Sequence, residues 1–257
     1  MKYILIIIQL CLFKLFAQTD IEIQAKPIGG NNNVEHIFQT QVIYPNSLLE
    51  KNSNQDVAIY FNVLKDGKVT NPEFKNDYPI EFKNEAIRLL KYILFEPASI
   101  GNIKVDSKSF LVFTFNTSTY KKYCKKRGFQ IHKDAPLFDS SFVIYERADS
   151  SPEYYKGQDA LNSYILSNLE YPDLAIRQNI QGTVILSFIV EPNGLLSNIK
   201  VEKEFNHLCT NEAIKVLIDT KWIAGKKDGK FIRYKTKYPI IFNLNNINKD
   251  NATSEQR

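Results

Sequence analysis

The 257-residue sequence predicts an α+β protein of two tandem two-layer domains, each a three-stranded antiparallel sheet packed with helices. Three observations carry this reading. The stretch "GTVILSFIVEPNGLLSNIKV", residues 182–201, alternates apolar and other residues, turns at Asn193-Gly194 and continues as a second strand. An earlier stretch, "QDVAIYFNVLKDGKVTNPEF", residues 55–74, aligns with it without a gap, placing Gly67 on Gly194 at an offset of 127. The same offset lays Tyr44-Pro45 on Tyr171-Pro172, Asn84-Glu85-Ala86-Ile87 on Asn211-Glu212-Ala213-Ile214, Phe95 on Trp222 and Phe115 on Phe242. One structural unit is therefore read twice.

The chain opens with Lys2, an apolar run from Tyr3 to Phe13, then Lys14 and the small residue Ala17, the layout of a secretory signal peptide over residues 1–17. The run is shorter than the roughly 20 residues that span a bilayer, so an uncleaved anchor is the lesser alternative. Leu10 in front of Cys11 is too large for a lipidation site. The repeats occupy residues 22–117 and 149–244. Residues 118–148 read as a basic linker with Lys121, Lys122, Lys125, Lys126 and Arg127, although "SSFVIYER" also fits a strand extension of the second domain. The polar tail, residues 245–257, is expected to be disordered.

Each repeat begins with a helix, "VEHIFQTQVI" or "GQDALNSYILSNL", the latter with Leu161, Tyr164, Ile165 and Leu169 at helical spacing. Tyr-Pro breaks the chain, and proline then suits the start of a short second helix. In the hairpins, Val57, Ile59, Phe61 and Val63 match Val184, Leu186, Phe188 and Val190 as the core-facing set. A further helix follows, "NEAIRLLKYILF" or "NEAIKVLIDTKW", with Asn84 or Asn211 expected as its cap and Glu85 or Glu212 in its first turn. Phe95 or Trp222 should seal the core. The last strand should turn Leu111, Phe113 and Phe115 inward in one repeat, and Tyr238, Ile240 and Phe242 in the other.

Composition argues against most chemistry. A net charge of +5, spread outside one local cluster, does not suggest nucleic acid. His36, His132 and His207 share no ligand spacing, so neither metal nor other cofactor is expected. Glu202 and Glu204 share a strand face but are interleaved with Lys200 and Lys203, as in a solvated strand. No phosphate loop or nucleophile elbow is present, and the protein reads as a non-enzyme. Cys124 and Cys209 have the option of a disulfide in an oxidising compartment, yet Cys209 aligns with Phe82 and reads as a core position. On the second face of the hairpin, Ile185 and Ile189 form a possible interface, to be covered by the other repeat, a twin subunit, a partner or simply a helix.

Over residues 152–244 the sequence resembles the TonB C-terminal domain family. "YPDLAIRQNIQGTVILSFIVEPNGLLSNIKV" and "NEAIKVLIDTKWIAGKKDGKFIRYKTKYPIIFNL" follow its order: Tyr-Pro, short helix, Gly-x-Val, hairpin with Gly, helix bearing Ala, aromatic, Asp-Gly and a Pro-containing last strand. The first repeat looks like a degenerate copy, with Gln55 and Asp56 for Gly182 and Thr183, and Val112 for Pro239. The resemblance implies a periplasmic protein whose C-terminal domain binds outer-membrane transporters or receptors by adding their segment to a sheet edge. The alternative is a structural periplasmic adaptor, dimerising or attached to the cell wall. Pro239 orients the edge: lacking an amide donor, it marks an outward direction shared by Lys235, Lys237 and Ile241. These four residues are the expected partner-binding set.

Overall fold

The structure, a computed structural model, describes residues 22–127 and 141–246. The expected signal peptide and nearly all of the expected tail lie outside the described residues, as does the middle of the expected linker. The fold is α+β, with small sheets packed against helices.

The first half contains α1 (Gly30–Gln41), α2 (Asn46–Glu50), β1 (Gln55–Val63), β2 (Val69–Glu73), α3 (Ile80–Leu90), β3 (Ser107–Phe115) and α4 (Thr117–Arg127). Its main sheet has the order β2-β1-β3 and is antiparallel. The second half contains β4 (Ile144–Tyr145), α5 (Gln158–Asn168), α6 (Asp173–Arg177), β5 (Gly182–Val190), β6 (Leu196–Lys203), α7 (His207–Ile218) and β7 (Arg233–Phe242). Its sheet runs β6-β5-β7-β4. The fourth strand departs from the expected three: "SSFVIYER" supplies β4, which pairs parallel to β7 at Arg233 and Tyr234.

Two apolar cores result. Val57, Ile59, Phe61 and Val63 are buried in the first with Phe82, Leu89, Phe113 and Phe115. Val184, Leu186, Phe188 and Val190 occupy the second with Leu161, Cys209, Leu217, Ile240 and Phe242. Burial of a large apolar side chain is worth about 1.5–3 kcal/mol, so alternation along the central strands suffices to fix which face meets the helices. Phe95 is buried, whereas Trp222 is only partly so and donates from Nε1 to Thr220. Both described cysteines are free thiols, Cys209 in the second core and Cys124 against the first.

Backbone detail recurs at the offset of 127. Asn52 and Asn179 follow the short second helices with positive φ, and Asn71 and Asn198 do so at a bulge in the hairpin's second strand. Tyr44 donates its hydroxyl to the Ser53 carbonyl, as Tyr171 does to that of Ile180. Pro27 pairs with Phe95 in a short ribbon, and Tyr154 with Trp222.

Two expectations need correction. Asn84 and Asn211 are not caps. The helices start a turn earlier, because Phe82 and Cys209 fall on the buried stripe and extend it. Pro79 precedes α3, and Asn206 caps α7 by accepting from the amides of Leu208 at 3.0 Å and Cys209 at 3.2 Å. Glu85 and Glu212 consequently lie outside the first turn, and Glu85 is instead buried, accepting from the Ile43 amide and pairing with Arg88. Nor does the basic cluster lie in a free linker. It rides on α4, which lays Tyr120 into the first core and Tyr123 and Cys124 against it, leaving Lys121, Lys122, Lys125 and Lys126 in water.

Both hairpin turns press against the strand that follows the long helix. Gly194 has φ 77°, and a Cβ there would lie 2.1 Å from the Trp222 carbonyl oxygen; at Gly67 the corresponding distance is 2.7 Å from that of Phe95. Gly194→Ala is expected to cost about 2–4 kcal/mol, combining left-handed strain with a backbone clash, and Gly67→Ala less, as read from urea unfolding of the full chain.

Candidate functional site

The expected edge lies on β7. Its register on β5 pairs Ile185 with Pro239, Ser187 with Lys237, Ile189 with Lys235 and Thr183 with Ile241. Ile240 and Phe242 are buried and Tyr238 is partly so, packed against the second core, while Lys237, Pro239 and Ile241 are exposed. On the far side of β7, β4 covers only Arg233 and Tyr234. Lys235 is half-buried and lies 3.5 Å from Glu146. Beyond it, among the described residues, no strand occupies the second edge of β7. Since Pro239 has no amide hydrogen, the Ile185–Pro239 pair is of the non-hydrogen-bonded kind, and alternation turns the main-chain groups of Lys237 and Ile241 away from β5 as well.

Ile185, Pro239 and Ile241 share the face turned away from the second core, half-buried or exposed. Beside them Glu202 accepts a 2.8 Å bond from the Ser187 hydroxyl. That bond, with Lys237, Lys200 and Lys235 nearby, holds its carboxyl below the usual range. An exposed carboxylate kept ionised in this way suits a lysine-rich surface rather than general-acid chemistry. Among the described residues, no group of three His, Cys, Asp or Glu side chains is placed to hold a metal ion.

Ile189 has a different fate from Ile185. It is buried, at the end of this face that meets the first half. There Arg233, itself buried, binds Glu191 through Nε at 2.9 Å and Nη2 at 2.8 Å. The same guanidinium donates to two carbonyls just past α3, those of Lys91 and Tyr92, each at 3.1 Å. Asn198 completes the contact, donating to the Tyr92 carbonyl at 2.8 Å and accepting from the Leu94 amide at 2.9 Å. The positive φ of Asn198 thus belongs to a bulge whose side chain grips the other half. A cation at the C-terminal end of α3 also meets the favourable end of its dipole.

The start of the β6 edge is met by the first half. His36 Nε2 lies 3.0 Å from the Leu196 carbonyl, and Gly29, just before α1, comes so close to the Ile199 carbonyl that a Cβ would lie 2.8 Å from it. Burial lowers the pKa of His36, against the opposing pull of the Leu196 carbonyl and of Asp219. Neutral His36 is therefore the form that fits the junction.

Sequence reasoning missed this junction, although its signal was present. In an otherwise gapless repeat, Glu191 stands where the first half has Leu64, and Arg233 where it has Asp106.

Residues 167–244 match the family described as Gram-negative bacterial TonB protein C-terminal. That family is a protein-interaction domain without enzymatic activity, and its members are periplasmic or envelope-associated. Among solved structures, the NMR solution structure of the Helicobacter pylori TonB C-terminal domain is 28% identical over 33% of this chain and 77% of that one, with a TM-score of 0.25. No curated protein matches. No helix among the described residues is long and apolar enough to cross a membrane.

Removing one partner of the buried pair should be far worse than removing both. Glu191→Ala is expected to cost about 3–5 kcal/mol by stranding the guanidinium, while Glu191→Leu combined with Arg233→Met recovers most of that loss. Urea melts of the single and double variants check this.

Proposed function

We propose that the second half is a receptor-binding module of the TonB C-terminal kind, which takes an extended segment of an outer-membrane transporter as an added strand along β7. The supporting observation is the uncovered edge from Thr236 to Phe242, oriented by Pro239 and sited within the residues that match the family. Main-chain bonds to Lys237 and Ile241 would supply affinity, and the exposed Pro239 and Ile241 side chains a surface for alternate residues of the segment. In this reading the first half is a degenerate copy of the same fold, and the recurrence of Asn52 at Asn179, Asn71 at Asn198 and Gly67 at Gly194 supports a duplication. It serves as a scaffold that occupies the β6 edge and leaves β7 free.

The layout of residues 1–17 supports export to the periplasm with cleavage after Ala17, where such a module meets its receptors.

Lys237→Pro removes an outward donor and leaves the β5 ladder intact. It is expected to weaken binding of a synthetic transporter segment at least about fivefold, the worth of one main-chain bond, with an unchanged melting temperature. Ile240→Pro, losing a ladder bond and a core side chain, is expected to unfold the second half. Wild-type affinity in Lys237→Pro would remove β7 as the binding edge. Recovery of only this chain or cell-wall material from cross-linked periplasm would favour a structural adaptor instead.

A further inference from the structure

We propose that the first half carries a second strand-addition site, a groove along the outer edge of β3 that takes an extended peptide with apolar residues and a facing basic residue. The groove encloses about 540 Å³. Phe110 to Thr114 of β3 form one side, and the other is built by α1 and α4 with Val34, Phe38 and Tyr123. These walls are fixed by ring packing, since Phe38 stacks on Phe113 at 5.7 Å and meets Tyr123 edge-on at 6.3 Å. Five strand residues run roughly 17 Å, the length of a short peptide segment.

The edge has main-chain groups to offer. The sheet order places β3 outermost, with no strand beyond it among the described residues. Val112 pairs with Ala58 at the same place in the ladder at which Pro239 pairs with Ile185. The pair is thus of the non-hydrogen-bonded kind, and the Val112 amide and carbonyl face the groove, with those of Phe110 and Thr114 pointing the same way. Where β7 has a proline, β3 keeps a donor. The peptide's backbone would continue the sheet and its alternate side chains would rest on the apolar walls.

Charge selects the occupant. Glu35 lines the groove, is exposed and makes no ion pair among the described residues; it accepts a 2.9 Å bond from the neutral Gln39 amide. Among the described residues, no lysine or arginine lines the groove. A basic residue on the peptide would complete the pairing. A second copy of this chain fits less well, because edge-to-edge pairing would bring its own α1 and α4 against these helices.

The site stands on residues separate from β7, so its test uses the full mature chain carrying Lys237→Pro, in which binding at that edge is weakened. The probe is a short labelled peptide of alternating valine and lysine, followed by fluorescence anisotropy. Saturable binding is expected, weakened at least about tenfold by Val112→Pro and by Glu35→Lys. Glu35→Lys should in turn prefer the same peptide with glutamate for lysine. Proline is borne at the matching position of β7, and Glu35 is a surface residue, so at least one variant reports on a folded chain. A chain that shows no saturable binding, or binds equally well with both changes, overturns the proposal. The net charge, +5 for the whole sequence and still positive without Lys2 and Lys14, disfavours indiscriminate uptake of a basic peptide, which makes dependence on Glu35 diagnostic.

Discussion

The arrangement of the two halves depends on one buried guanidinium. Arg233 is almost wholly removed from water, and so is its partner Glu191. Such a pair recovers its desolvation cost only if every remaining donor finds an acceptor. Within the second half, Glu191 accepts from Nε and Nη2 and the Phe142 carbonyl lies 3.5 Å from Nη1; the guanidinium also donates to carbonyls of Lys91 and Tyr92 in the first. Separation of the halves would leave those donors and carbonyls to find water. The contact is therefore specific in orientation, since the carbonyls just past α3 must be aimed at the guanidinium.

Arg233 is also the first residue of β7, which links the junction to the proposed binding edge. The strand is pinned at its start by the buried ion pair and by β4, and beyond Lys235 β5 is its only partner strand among the described residues. At the opposite end of the sheet, β6 meets α1 through His36 and the close approach of Gly29. Among the described residues, one edge is thus met by the first half while the other carries no strand beyond β4. Exposed edges invite unwanted pairing, and here Lys235, Lys237 and Pro239 are the residue types that restrain it. The first sheet meets the same problem differently, with α1 and α4 facing the β3 edge across a groove.

Much of this was legible in the sequence, because two strong signals agreed. Period-two alternation fixed the inward faces of β1 and β5, and the gapless offset tied each element to a counterpart. Tyr-Pro, the turn glycines and the inward set of β7 follow from local chemistry and are seen as expected. Helix starts were misjudged because Asn84 and Asn211 have the chemistry of caps, but burial of Phe82 and Cys209 outweighs a cap worth about 1 kcal/mol. The helix α4 was hidden by its lysines, which mask the spaced Tyr120, Tyr123 and Cys124. The Arg233–Glu191 pair could not be read from propensity, since buried charges follow from tertiary placement; only the departure from Leu64 and Asp106 marks it.

Amide hydrogen exchange along β7, with and without a transporter segment, tests strand addition most directly. The ladder amides of Tyr238 and Ile240 should already be protected in the free chain, and the outward amides of Lys237 and Ile241 should exchange freely until the segment is added, then slow markedly. Protection that instead rises along β6, or leaves Lys237 and Ile241 unchanged at saturating segment, would contradict strand addition at this edge.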